Sequence, residues 1–240
     1  MCCESVVGKM ARSVCATDND KQGHRERLRD KILSGNTDTL LDYELLEYLL
    51  TVAIPRKDVK PIAKSLLNKY KTLANVVNAS VESLMEVSGV KETTAAVIKI
   101  VGITAVRMLK VDLVKKSVIS SWDKLLDYCR ASLAYNTEEN VRVIYLDAKN
   151  CIIADEVQSK GALSQVNFYP QEVVKKAMYI GAAGVVIAHN HPSCDCKPSI
   201  EDKVVTKTLK DGLSFMDIKL IDHIIVSTRG YFSFKVNGLL

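Results

Sequence analysis

Residues 189–202, His-Asn-His-Pro-Ser-Cys-Asp-Cys-Lys-Pro-Ser-Ile-Glu-Asp, gather two imidazoles, two thiols and three carboxylates. The apolar run Gly184–Ala188 just before them reads as a buried strand that delivers His189 at its C-terminal end. Strand alternation turns His189 and His191 to one side and Asn190 to the other. Two imidazoles so placed, about 6–7 Å apart along the backbone, can converge on one ion. After a loop, Ser199 opens a helix and places Asp202 in its first turn. Two histidines and one carboxylate make three protein ligands, the complement of a catalytic rather than a structural zinc site. Zinc held this way would bring the pKa of a water to about 7 and supply hydroxide at neutral pH. Hydrolysis also needs a proton shuttle, and Glu156, near the end of the strand-like segment 150–156, is a candidate.

Three other readings use the same residues. Ser199 and Asp202 fit a helix capping box, which requires no metal. Cys194 and Cys196 could join the two histidines in a closed structural zinc site, although structural sites usually split their ligand pairs across a longer spacer. The histidines could also only hydrogen-bond within a loop. His223, in Ile-Asp-His-Ile-Ile-Val, reads as a packed strand histidine, and His24, among arginines, as a surface one.

The elements that must position these residues change in kind along the chain. From about Gly23 to Leu113 the period is helical. Leu45, Leu46, Leu49 and Leu50 form one stripe with Asp42 as N-cap. Ile62, Ala63, Leu66, Leu67 and Tyr70 form another behind Asp58. A short helix runs from Ser80 through Leu84, and a longer one ends near Leu109. Beyond the boundary at residues 110–119, the helical segment 122–133 precedes two strands around a turn at Asp147–Asn150. A helix with Pro170 in its first turn follows. Then come the strand ending at His189, a helix closed by Gly212, and a terminal hairpin. The fold class is therefore α+β: a small all-α bundle at residues 23–113 and an α/β domain at 117–240, with residues 1–22 a flexible tail.

The totals bound the function. At 240 residues the chain is long enough for two modest domains with real cores. No run of about 18 apolar residues is present, so no membrane span is expected. Lys9 and Arg12 interrupt the N-terminal apolar residues, against a signal peptide. Seven scattered cysteines without a leader read as reduced thiols of a cytoplasmic protein. Residues 1–116 carry 19 Lys and Arg against 14 Asp and Glu, whereas residues 117–240 carry 14 of each. The surplus positive charge lies in the first half, a weak pointer to nucleic acid or another anionic partner.

His189-x-His191, seven residues, Ser199, two residues, Asp202 resembles the JAMM (MPN-plus) metalloprotease motif. Gly-His-Arg-Glu-Arg-Leu-Arg-Asp-Lys-Ile-Leu from Gly23, the segments 42–67 and 155–177, and residues 189–202 resemble the bacterial RadC family over nearly the whole chain. The resemblance implies a helical N-terminal domain and a C-terminal JAB/MPN domain of cytidine deaminase-like architecture. It implies Zn²⁺ on His189, His191 and Asp202, Ser199 as a stabiliser of the oxyanion, and Glu156 as general base and then acid. The implied substrate is a peptide or protein, cut at a peptide or isopeptide bond. Cys194 stands where the family reads glycine, and Gln171 where it reads arginine.

Residues 83–98 resemble a helix–hairpin–helix, in which a Gly-x-Gly hairpin offers backbone N–H groups to a DNA phosphate. Gly89 fits, while Lys91 takes the second glycine's place. Arg25 and Arg29, one helical turn apart, are further phosphate candidates, though Glu26 and Asp30 dilute them. The competing function is thus a DNA-associated or protein-binding factor with a structural or vestigial metal site. The sequence sets no oligomeric state.

Overall fold

The computed structural model describes residues 17–35, 37–114, 117–160 and 168–240. Two compact units divide between Lys99 and Ile100.

The first unit holds helices α1 (Thr17–Leu33), α2 (Asp42–Ala53), α3 (Lys60–Tyr70), α4 (Leu73–Asn78) and α5 (Val81–Met85), and the start of α6 (Glu92–Val114). Its core is built on the two stripes read from the sequence, except that Leu45 is exposed. Leu46, Leu50, Ala63 and Leu66 are buried with Val76, Leu84, Ala95 and Ile98. Helix α1 begins ahead of Gly23, so residues 17–22 are helical rather than tail; residues 1–16 lie outside the described residues. The N-cap of α2 is Leu41, not Asp42, and the Glu44 carboxylate accepts the Leu41 amide at 3.0 Å. Asp58 does engage the start of α3, accepting the Lys60 N–H, although Val59 is the cap.

The division inside α6 lies earlier than residues 110–119. Helix α6 continues past Leu109 to Val114, because Val106, Leu109 and Leu113 join the core of the second unit. That unit continues with α7 (Trp122–Leu133), β1 (Asn140–Leu146), β2 (Ile152–Lys160), α8 (Pro170–Tyr179), β3 (Gly184–Asn190), α9 (Ile200–Ser214), β4 (Lys219–Ser227) and β5 (Gly230–Ser233). The strands form one sheet in the order β2-β1-β3-β4-β5, with β3 and β4 parallel and the other neighbours antiparallel.

Helices cover both faces. Leu125, Cys129 and Leu133 of α7 pack on Ile144, Val186, Ala188 and Ile224. Val173 and Ala177 of α8, with Leu209 and Leu213 of α9, pack on Val141, Val143, Val185 and Ile187. Strand β3 is buried along its whole length, as its uninterrupted apolar run requires. Alternation along it sends Val185 and Ile187 toward α8 and α9, so His189 follows them and Asn190 takes the α7 side. The sheet thus hands His189 to the helix that carries Asp202.

Two corrections concern α9 and the last hairpin. Helix α9 runs through Gly212 to Ser214. A Cβ at Gly212 would meet Val174 Cγ2 at 3.2 Å, so the glycine serves the close approach of α8 and α9 rather than a helix end. Strand β5 stops at Ser233, whose hydroxyl and the neighbouring Lys235 amide bond the buried Asp222 carboxylate.

Candidate metal centre

Asp202 is placed by a capping box. The Ser199 hydroxyl accepts the Asp202 N–H at 3.0 Å, and the Asp202 carboxylate accepts the Ser199 N–H at 2.7 Å. Capping and the cluster turn out to be one device, since the box orients the carboxylate that faces the imidazoles. His191 lies just beyond β3, held by its N–H to the Val226 carbonyl at 3.1 Å.

The three side chains converge. His189 Nε2 lies 3.0 Å from His191 Nε2 and 3.2 Å from Asp202 Oδ1, and His191 Nε2 lies 3.4 Å from Asp202 Oδ2. A tetrahedral ion with ligands at 2.0–2.1 Å separates its donor atoms by about 3.3 Å, so each imidazole nitrogen lies at about that spacing from the other and from one of the two Asp202 oxygens. Among the described residues this is the group of His, Cys, Asp or Glu able to hold a metal ion. The second nitrogens are occupied as metal-ligating histidines require. His191 Nδ1 lies 2.8 Å from the Asp195 carbonyl, and His189 Nδ1 lies 2.8 Å from His223 Nε2. The side chains of His189 and Asp202 are fully buried, whereas His191 is 12% exposed and marks the side open to solvent.

Electrostatics favour a cation at this point. Burial pushes the Asp202 carboxyl up, but the two imidazoles beside it and the Ser199 amide outweigh that and hold the carboxyl well below the usual range. The Asp202 hydrogen bond raises the pKa of His191, while burial lowers those of His189 and His223.

The thiols take no part. Cys196 Sγ donates to Ser227 Oγ at 3.0 Å, and Cys194 Sγ lies 3.3 Å from Thr228 Oγ1, so the closed four-ligand site is not formed. Cys194 holds a left-handed backbone, φ 63°, keeping the glycine-like turn at the cost of strain.

Residues 119–239 match the model of the RadC-like JAB domain, and residues 21–96 that of the UPF0758 N-terminal domain. This chain belongs to the RadC family. Among RadC-type relatives, the UPF0758 protein SPO0054 of Ruegeria pomeroyi is 42% identical over 217 residues, 90% of this chain and 97% of that protein.

Within this RadC chain the structure distributes the expected residues unevenly. His189, His191, Ser199 and Asp202 come together. Glu156 sits in β2 opposite Val143, with its carboxylate 3.1 Å from Lys176 Nζ of α8 and accepting from Gln158 at 3.2 Å. Another carboxylate, Glu139, stands just ahead of β1, two residues before the Val141 that pairs with His189. Its charge acts to raise the pKa of both His189 and His191. Thr206 and His223 were missed in the sequence; the pairing of β3 with β4 brings in His223, and α9 carries Thr206 one turn after Asp202.

In the N-terminal unit, Gly89 turns the hairpin between α5 and α6 with φ 91°, and a Cβ there would lie 2.7 Å from Ile62 Cδ1. Lys91 is exposed immediately before α6. Arg25 spends its guanidinium on the Pro55 and Lys57 carbonyls, and Arg29 pairs with Asp30 at 3.6 Å. Arg25 therefore acts as a tie between helix and loop. No helix among the described residues is long and apolar enough to cross a membrane.

Proposed function

We propose that the chain is a zinc-dependent hydrolase of the JAMM type, cleaving a peptide or isopeptide bond. The observation that carries this reading is the convergence of His189 Nε2 and His191 Nε2, 3.0 Å apart, on the Asp202 carboxylate, whose two oxygens lie 3.2 and 3.4 Å from them. Three protein donors, rather than four, are the catalytic complement. When bound there, zinc supplies Lewis acidity and makes hydroxide accessible near neutral pH.

The chain's own groups fit the remaining roles. Glu139, two residues ahead of the Val141 that pairs with His189, is the carboxylate suited to take a proton from the attacking water and return it to the leaving amine. The base role first assigned to Glu156 passes to Glu139 in this reading. Ser199 is exposed, and its oxygen accepts the Asp202 N–H, which leaves its own hydrogen to donate to a developing oxyanion. The buried Asp202 holds both imidazoles in place.

Metal analysis of the purified chain should find about one zinc per molecule. The His189→Ala, His191→Ala double variant should lose it; undiminished metal in that variant would overturn the reading. Zinc-loaded protein should then cut members of a mixed library of peptides and isopeptide-linked lysines, read by mass spectrometry.

A further inference from the structure

Behind the candidate ligands runs a hydrogen-bond chain with a forced direction. Thr206 Oγ1 lies 2.5 Å from the Asp202 carbonyl oxygen, one helical turn back, and 2.5 Å from His223 Nδ1. A hydroxyl has one hydrogen, and a carbonyl oxygen can only accept. That hydrogen therefore goes to the Asp202 carbonyl, and the hydroxyl oxygen accepts Nδ1–H from His223. His223 Nε2 is left as a lone pair, 2.8 Å from His189 Nδ1, and must accept a proton from it. The consequence falls on His189: its hydrogen is on Nδ1 and its lone pair on Nε2, the atom that faces His191 and Asp202.

The surroundings hold this chain rigid. Thr206, His223 and His189 are all buried. The His223 ring stacks on Phe234 with centroids 4.5 Å apart and planes 15° from parallel. Helix α9 supplies both Asp202 and, one turn on, the hydroxyl that sets the tautomer of the histidine opposite. His191, by contrast, has its Nδ1 fixed by a single loop carbonyl.

We propose that Thr206 and His223 are positioning residues of the metal centre, fixing His189 in the tautomer and ring orientation that present Nε2 to an ion. The proposal rests on reading the cluster as a metal site. Partners of this kind are worth about 10- to 100-fold in metal affinity when removed.

The test pairs Zn²⁺ affinity, measured by competition with a chromophoric chelator, with NMR of the histidine ring nitrogens in the metal-free chain. Thr206→Val keeps the volume and removes the hydroxyl, so it should weaken zinc binding about 10- to 100-fold, and His223→Leu should do the same. Thr206→Ser, which restores the hydroxyl, should bring affinity back to near the wild-type value. The metal-free wild type should carry the His189 proton on Nδ1, and Thr206→Val should redistribute it. Wild-type zinc affinity in Thr206→Val, or a proton on Nε2 of His189 in the metal-free wild type, would overturn the proposal. A wild-type chain that takes up no zinc would instead overturn the metal reading, and the His189 tautomer in the same sample tells the two failures apart.

Discussion

Asn190 Oδ1 accepts the Asn140 amide at 2.8 Å, fastening the start of β1 to the end of β3. Glu139 and His191 are the neighbours of these two asparagines. The Asn190 amide group also donates to the Asn136 and Glu138 carbonyls, at 3.2 and 3.0 Å. One fully buried side chain thus fastens the backbone just ahead of β1, where Glu139 lies, to the strand that carries His189.

Asn190→Ala should destabilise the chain by roughly 2–4 kcal/mol, because it strands an amide and two carbonyls in the interior. Urea unfolding measures this, and a change below about 0.5 kcal/mol would show that water replaces the pin.

Glu139→Gln should retain zinc and reduce peptide cleavage about 10²- to 10⁴-fold, the span usual for a general base. Glu156→Gln, which touches Lys176 and Gln158, should leave cleavage nearly unchanged. The reverse pattern would return the base role to β2.

Zinc uptake should weaken as pH falls. Binding requires His191 neutral, and its hydrogen bond to Asp202 raises its pKa above the ordinary imidazole value. Competition by one proton therefore begins from above about pH 6.5 and costs up to about tenfold in affinity per pH unit below the raised pKa. Isothermal titration across pH 5 to 8 gives the slope; an affinity independent of pH would exclude a proton displaced from His191.

Cys194→Gly should stabilise the loop by about 0.5–1 kcal/mol, because glycine accepts the left-handed backbone without the Cβ clash. The gain should appear in thermal unfolding, with zinc content unaltered. A loss of stability would mean that the Cys194–Thr228 contact at 3.3 Å outweighs the strain.

Gly89→Ala should cost the helical unit about 1–3 kcal/mol, through a positive φ and a clash with Ile62. Helical circular dichroism under denaturant tests it, and zinc content should not follow. A neutral substitution would show that the hairpin yields.

Local pattern made several features legible. The stripes of Leu46 and Leu50, and of Ala63 and Leu66, announced their helices because burial recurs at the helical period. Asp147 and Asn150 announced the β1–β2 turn, where the Asp147 carboxylate accepts the Lys149 and Cys151 amides and Asn150 takes a φ of 59°. His189, Ser199 and Asp202 were legible since each is fixed by strand alternation or helix capping. The part proposed for Glu139 was not, because it depends on which strand β1 joins, whereas Glu156 was proposed from its place near the end of a strand-like segment.

By itself, then, the sequence determined the helical and the α/β halves, the strand that ends in a histidine and the helix capped by Ser199, all features set by neighbours a few residues apart. Tertiary structure alone decided that His223 comes behind His189 and that both thiols turn to hydroxyls. His189 and His223 stand 34 positions apart and meet through the parallel register of β3 and β4, and no local spacing encodes which strands pair.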